Sequence, residues 1–386
     1  MTAHGSEDLL PIPRRVSRKP TGGDAVFVHG FRMVGASVLV ITGGIAVFLA
    51  LQSVPTLRHY GVGFFDVHQG WNFDTDRVSV ASLLAGTVEV ALIAITLAFP
   101  LALATALYIS EYAPPRLQAT LISAIDLMAA VPSIVYGLWG RDLIQPHAGT
   151  VAMFVDRHVG PLAVSGAPRT ALLLVLVGGV LVGVVLRGVV GLRSHGARLP
   201  LYAAAVAAVV LLPVCLTVDA DPNAANLAPQ ASSFQKSAFI AGIAVSMMVL
   251  PMACAIMRQV FSQTPPGEKE AALALGSTKW GMIRAVVLPF GKGGIIGGTM
   301  LALGRALGET IAVLLIINQV FIIKPNVLET GTATVSSTIA AQFGEATGIQ
   351  LKALLTAGFV LFVITLVVNT LAAIVVSRSR SGDATS

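Results

Sequence analysis

The chain contains 386 residues, of which 55% are hydrophobic and only 11% are charged, and its formal net charge is +6. Soluble domains carry about 25% charged residues, so this composition excludes a water-soluble globular protein and indicates that lipid covers most of the surface. An excess of basic residues in such a protein is typical of cytoplasmic loops. We therefore expect contact with membrane lipid and none with nucleic acid.

Eight segments are apolar over the roughly 20 residues that a membrane-spanning helix requires. The first covers residues 33–54. It is longer than the apolar region of a signal peptide, which is about 7–15 residues, and no small-x-small cleavage site follows it. We therefore expect a retained first span. The other predicted spans are residues 80–110, 119–139, 170–192, 199–218, 238–257, 293–318 and 353–377.

Basic residues are unequally divided between the two sides of the membrane that eight spans define. The side that includes both ends of the chain carries 16 lysines and arginines, and the other side carries 8. Because cytoplasmic loops are enriched in Lys and Arg, the sequence predicts that both termini are cytoplasmic.

Neither a nucleotide site nor a metal site is indicated by the sequence. The phosphate-binding pattern GxxxxGK[ST] is absent from the chain, so ATP and its Mg²⁺ must bind to another polypeptide if ATP drives this protein. Cys215 and Cys254 lie in apolar runs and lack the spacing of metal ligands or of a disulfide framework. We expect no cofactor in this chain, and a translocation path in place of an enzyme active site.

The most informative stretch outside the predicted spans is residues 270–289, with the sequence EAALALGSTKWGMIRAVVLP. Its pattern predicts a short amphipathic helix, a break at Gly276 and a second helix that ends at Leu288 and Pro289. A helix–break–helix of this kind can dock in a groove on another protein. The same pattern also fits an ordinary loop between helices.

The spacing of this stretch resembles the EAA loop of ABC importer permeases, in which Glu-Ala-Ala is followed by a glycine and then by Ile-x-Leu-Pro. The sequence departs from that pattern at Val286, where isoleucine is usual. In that family the loop forms the coupling helix, which sits on a separate ATPase subunit. The resemblance implies this role for Glu270, Ala271, Ala272, Gly276, Leu288 and Pro289.

Two further stretches resemble the PstC-type permease of the phosphate-specific (Pst) ABC importer. They are AAVPSIVYGLWG at residues 129–140 and LGRALGETIAV at residues 303–313. The resemblance implies an all-α, polytopic membrane protein with the type I ABC importer permease fold and about eight transmembrane helices. The family usually has six spans, so residues 170–218 would be an inserted pair. The resulting division of the chain is a cytoplasmic tail at 1–32, a first transmembrane helix at 33–54, a permease domain at 78–377 and a second tail at 378–386.

The same resemblance implies the partners and the location of the protein. It would pair with a PstA-like permease, two copies of an ATPase subunit and an external phosphate-binding protein. This complex would move inorganic phosphate across the inner (plasma) membrane of a bacterium into the cytoplasm.

Arg305 and Glu309 are the charged residues of the predicted span 293–318. Spaced four residues apart on a continuous helix, they would share one face and could pair. A lone charge at mid-membrane costs at least about 2.5–3.5 kcal/mol, which favours pairing. A guanidinium also matches phosphate oxygens in a bidentate manner, so Arg305 could bind the substrate while Glu309 holds it in the empty path. A structural salt bridge is the alternative.

Two other predicted spans contain a proline or an acid. Pro132 removes one backbone hydrogen bond inside the span 119–139, and with Ser133 it could form a hinge or a polar notch in the substrate path, or only a packing kink. Glu89 lies deep in the span 80–110 without an assigned partner.

Other hypotheses remain open from the sequence. The permease could carry sulfate or molybdate, since one arginine does not distinguish tetrahedral oxyanions. An ion-coupled secondary carrier could use Glu89, Arg305 and Glu309 as a relay. A sensory role with a signalling kinase is compatible with transport.

Overall fold

The computed structural model describes residues 23–147, 235–324 and 327–380. Within these ranges the chain is mostly helical and has one antiparallel hairpin of β1 (Trp71–Asn72) and β2 (Arg77–Val78). The helices are α1 (Gly23–Tyr60), α2 (Ala81–Leu107), α3 (Pro115–Ala130), α4 (Ser133–Trp139), α5 (Ala238–Ser262), α6 (Pro266–Ala274), α7 (Lys279–Met282), α8 (Leu288–Phe290), α9 (Lys292–Leu307), α10 (Ile311–Ile316), α11 (Val335–Gln342) and α12 (Gly348–Arg380). A 3₁₀ turn covers Gly61–Phe65, and π-helical turns cover Tyr108–Tyr112, Gly140–Ile144 and Ile283–Val287.

The chain divides into two units after Leu51. The described part of the first unit is the N-terminal portion of α1, which is apolar and has almost entirely exposed side chains. A helix that is apolar all round needs lipid or protein as its surroundings. α1 contains the predicted first span, residues 33–54, and extends beyond it at both ends.

The core of the second unit is built on α2, α5 and α9, which pack closely through small residues. A methyl group added at Gly242 of α5 would lie 2.5 Å from Ile93 Cγ2 of α2. One added at Gly294 of α9 would lie 2.5 Å from Val260 Cγ2 of α5. Small residues let helix backbones approach closely, which is the usual way in which helices associate within lipid.

Four helices of the described residues are long and apolar enough to cross a membrane, and the number is six if each of two bent pairs counts as one span. Each of the six predicted spans within the described ranges overlaps one of them; the inserted pair, residues 170–218, lies outside those ranges. The single spans are Ala25–Phe65, Ala81–Tyr112, Ala238–Ser262 and Gly348–Thr370. The bent pairs are Pro115–Ala130 with Ser133–His147, at 91°, and Lys279–Phe290 with Lys292–Leu307, at 67°.

Two of these segments are not the continuous helices that the sequence predicted. The helix expected over residues 119–139 breaks between α3 and α4, because Pro132 forces the preceding Val131 into an extended conformation, with ψ of 128°. The helix expected over residues 293–318 ends at Leu307, and a new helix begins only at Ile311.

A second apolar cluster joins the hairpin to α11 and α12. Phe64 and Trp71 are buried in it beside Leu354, and Trp71 Nε1 donates a hydrogen bond to Gln342 Oε1 at 3.1 Å. This cluster packs the hairpin against α11 and α12, and it includes none of residues 266–290.

Candidate functional site

The predicted break at Gly276 is present, and its geometry explains why glycine is needed there. α6 ends in a left-handed turn in which Gly276 has φ of +83°. Gly276 N donates to Leu273 O at 2.9 Å, and Ser277 N donates to Ala272 O at 3.3 Å. This pair of bonds is the Schellman arrangement, which satisfies the last carbonyls of a helix.

The second half of the loop corrects the prediction that the helix ends at Leu288 and Pro289. Helical structure continues through both residues to Phe290. The π-helical turn Ile283–Val287 precedes them, and Pro289 lies in the first turn of α8, where its missing N–H group is tolerated.

The residues that match the EAA pattern fall into an exposed group and a packed group. Glu270, Ala271 and Gly276 are exposed, whereas Leu288 is fully buried in the main core. Ala272 and Pro289 are half-buried, and Ala272 packs against that core. The exposed group is therefore accessible to a partner, and Leu288 holds the loop to the membrane helices.

Three apolar side chains on the same loop are exposed, and none of them belongs to the EAA pattern. Leu275 is 90% exposed, and Leu273 and Trp280 are each about half exposed. Exposed apolar residues are a feature of protein-binding surfaces, so these three side chains are available for contact with a partner. The signal was visible in the sequence as leucine and tryptophan flanking the glycine break.

Arg305 and Glu309 do not form the pair that their spacing predicted. Arg305 is exposed in the last turn of α9, whereas Glu309 is buried beyond the end of that helix. Glu309 Oε1 accepts a hydrogen bond from Ala312 N at 3.2 Å. The carboxylate therefore caps α10, where the positive end of the helix dipole favours it, and among the described residues no ion pair joins it to Arg305.

The Arg305 guanidinium makes no hydrogen bond or ion pair with another residue in the described ranges. The phenol of Tyr136 on α4 has a different partner. The Tyr136 hydroxyl donates to Met128 O at 2.8 Å, across the break between α3 and α4. The Arg305 guanidinium is thus exposed at the end of α9 and available to bind a ligand.

The two stretches that resemble the PstC-type permease come together in space. A methyl group at Gly137 would lie 2.8 Å from Ala312 Cα, so α4 and α10 are in backbone contact. Ser133 is half-buried in the first turn of α4, and its hydroxyl makes no hydrogen bond with another described residue. Its place in the substrate path stays a prediction.

Comparison with known proteins identifies the family. The model of the binding-protein-dependent transport system inner membrane component matches residues 98–381. The chain belongs to this family of transport permeases. The predictions of a multi-pass, all-α membrane protein and of a transport permease in place of an enzyme are therefore confirmed.

Individual relatives extend over nearly the whole chain. It is 31% identical to phosphate transport system permease protein PstC 2 of Mycobacterium tuberculosis, over 97% of both chains. It is 32% identical to the PstC protein of Mesorhizobium japonicum, over 93% of this chain and 92% of that protein. Identity to the Haemophilus influenzae PstC protein is 28%, over 92% and 94% of the two chains.

Proposed function

We propose that this chain is the PstC-type permease subunit of an ATP-driven importer that moves inorganic phosphate into the cytoplasm of a bacterium. The observation that carries the proposal is Arg305, which is exposed and unpaired among the described residues of a membrane helix. A charge at membrane depth needs a partner, and an oxyanion in transit supplies one. The relatives named as phosphate permeases support phosphate as that oxyanion.

In the proposed assembly, the other functions of the importer belong to other subunits. A PstA-like permease covers the exposed end of α9, so that the path lies between the two permeases. Two ATPase subunits bind ATP and Mg²⁺ and contact the loop of residues 266–290. An external binding protein delivers phosphate. This chain lies in the inner membrane, with both termini on the cytoplasmic side.

Arg305 suits this task because of its shape and its charge. The planar guanidinium offers two parallel donors to two phosphate oxygens, and it stays protonated in any protein environment. Since Glu309 is engaged in capping α10, it does not compete for Arg305. The path can therefore hold the anion without first breaking an internal salt bridge.

Cargo and energy source are tested together by reconstitution. The complex is placed in vesicles with the binding protein on one side and ATP on the other, and uptake of radioactive phosphate is measured. We expect ATP-dependent uptake that excess sulfate or molybdate does not inhibit. Equal uptake of sulfate or molybdate would contradict phosphate as the cargo, and uptake by this chain alone without ATPase would favour the secondary carrier.

A further inference from the structure

One ion pair of the described residues is more buried than the others and joins residues that are farther apart in the sequence. Lys269 Nζ on α6 lies 2.6 Å from Glu111 Oε1, and the two side chains are 20% and 6% exposed. His59–Asp76 and Arg141–Asp142, the other pairs in the described ranges, are each about half exposed or more. Exposed pairs contribute little to stability, whereas a largely buried pair constrains its two partners strongly.

The acidic partner belongs to the end of a core helix. Glu111 lies in the π-helical turn Tyr108–Tyr112, which directly continues α2. α2 runs along α5 through the centre of the main core. The start of α3 is hydrogen-bonded to this same π-helical turn, because Gln118 Nε2 donates to Ile109 O at 3.2 Å. This turn is therefore a rigid attachment point.

The same turn also holds the other half of the loop. Lys279, the first residue of α7, places its ammonium 4.8 Å from the centre of the Tyr112 ring. Lys269 and Lys279 stand on opposite sides of the Gly276 break. Two neighbouring residues of one turn, Glu111 and Tyr112, thus contact both helices of the loop.

α6 has little else to fix it. None of its residues is buried, although Ala272 packs partly against the core. A short helix without an apolar buried face can tilt unless a polar contact holds it. The pair of Lys269 and Glu111 is the one ion pair that α6 makes within the described residues.

We propose that Lys269 and Glu111 are positioning residues that fasten the loop of residues 266–290 to α2, so that a displacement of the loop moves the transmembrane helix. The inference rests on the proposed function, in which the ATPase displaces this loop. Without the pair, α6 tilts against α2 when it is pushed, and ATP is hydrolysed with less transport.

The test uses the complete reconstituted complex and compares Glu111→Gln, Lys269→Met and the exchange Lys269→Glu with Glu111→Lys. In each single variant the phosphate imported per ATP hydrolysed should fall about tenfold, a change of about 1.4 kcal/mol, because the remaining partner no longer fastens α6 to α2. The ATPase should still co-purify. The exchange should restore most of the coupling, because the opposite charges meet again. Arg141→Gln, which breaks an exposed pair, is the matched control and should leave the ratio unchanged.

A second readout is independent of the cargo. Spin labels are attached through Glu268→Cys on α6 and Tyr108→Cys at the end of α2, with Cys215 and Cys254 replaced by alanine. The parent should give one narrow distance distribution with and without ATP, and Glu111→Gln should broaden it. If Glu111→Gln does not assemble, Lys269→Met and the exchange are measured in the same way.

The proposal is overturned if the single variants keep either the parental uptake per ATP or the parental distance distribution, or if the exchange restores nothing. Absence of phosphate uptake in the parent would instead refute the proposed cargo. The distance measurement would still decide whether the loop and α2 move together.

Discussion

The loop of residues 266–290 and the segment of residues 303–316 both contain a helix that ends at a glycine, but the causes differ. Gly276 is in the left-handed region at φ +83°, and its amide closes a Schellman turn. Gly308 has an ordinary right-handed conformation, with φ of −91°, and is followed by Glu309, which caps the next helix. The first break is set by the glycine, and the second is set by a buried carboxylate.

The comparison also separates two uses of charge. In the loop, Lys269 and Glu111 are paired and joined to the core. In the segment, Arg305 is exposed and Glu309 is turned away from it to α10. A paired charge holds structure in place, whereas an available charge can bind a ligand that comes and goes.

The largest effect is expected from Glu309→Arg. This change puts an unpaired cation where a buried carboxylate caps α10, and an uncompensated buried charge costs about 3–5 kcal/mol. The protein should be nearly lost from the membrane. Glu309→Gln is the matched control, because its amide oxygen can still accept from Ala312 N, and its abundance should stay near the parental level. Abundance is measured by immunoblot of purified membranes, and normal abundance of Glu309→Arg would show that Glu309 is not a cap.

A smaller loss of stability is expected from Leu288→Ala. Leu288 is fully buried, and truncation of a buried leucine costs about 2–5 kcal/mol. Leu275→Ala removes the same atoms from a side chain that is 90% exposed, so it should leave the thermal unfolding midpoint unchanged. It should instead weaken co-purification of the ATPase. A lower midpoint for Leu275→Ala, or an unchanged one for Leu288→Ala, would reverse the division of the loop into exposed and packed groups.

The mildest change tests the two glycines directly. Gly276→Ala introduces a side chain at positive φ, which costs about 1–2 kcal/mol. It should loosen the turn and reduce ATPase binding in a pull-down assay. Gly308→Ala has an ordinary backbone conformation, and its nearest neighbour would be Gly304 O at 3.7 Å, so the unfolding midpoint should not fall. Equal behaviour of the two variants would remove the distinction between the breaks.

These differences show which features the sequence could predict. A glycine just after a short amphipathic helix is a local signal, so the break at Gly276 was predictable. The break at Gly308 was not, because residues 293–318 are almost uniformly apolar and a capping carboxylate looks the same in sequence as a paired one. The spacing of Arg305 and Glu309 therefore suggested a salt bridge, whereas the helix ends between the two residues and no ion pair joins them.

Burial was equally hard to predict from the motif. Six residues match one family pattern, yet Glu270 is exposed and Leu288 is fully buried. The attachment of the loop to Glu111 and Tyr112 joins residues more than 150 positions apart. Contacts between residues so far apart in the sequence depend on how α2 packs, and local periodicity does not predict them.

The availability of Arg305 for an oxyanion is the central claim, and Arg305→Lys tests it most directly. Lysine keeps the positive charge and loses the two parallel donors. A hydrogen bond to a charged group contributes about 1.5–3 kcal/mol, so phosphate uptake should fall roughly 10–100-fold at matched membrane abundance. Arg116→Lys, at an exposed position of α3, is the control and should transport normally. Near-parental uptake by Arg305→Lys would contradict the assignment of Arg305 as the phosphate ligand.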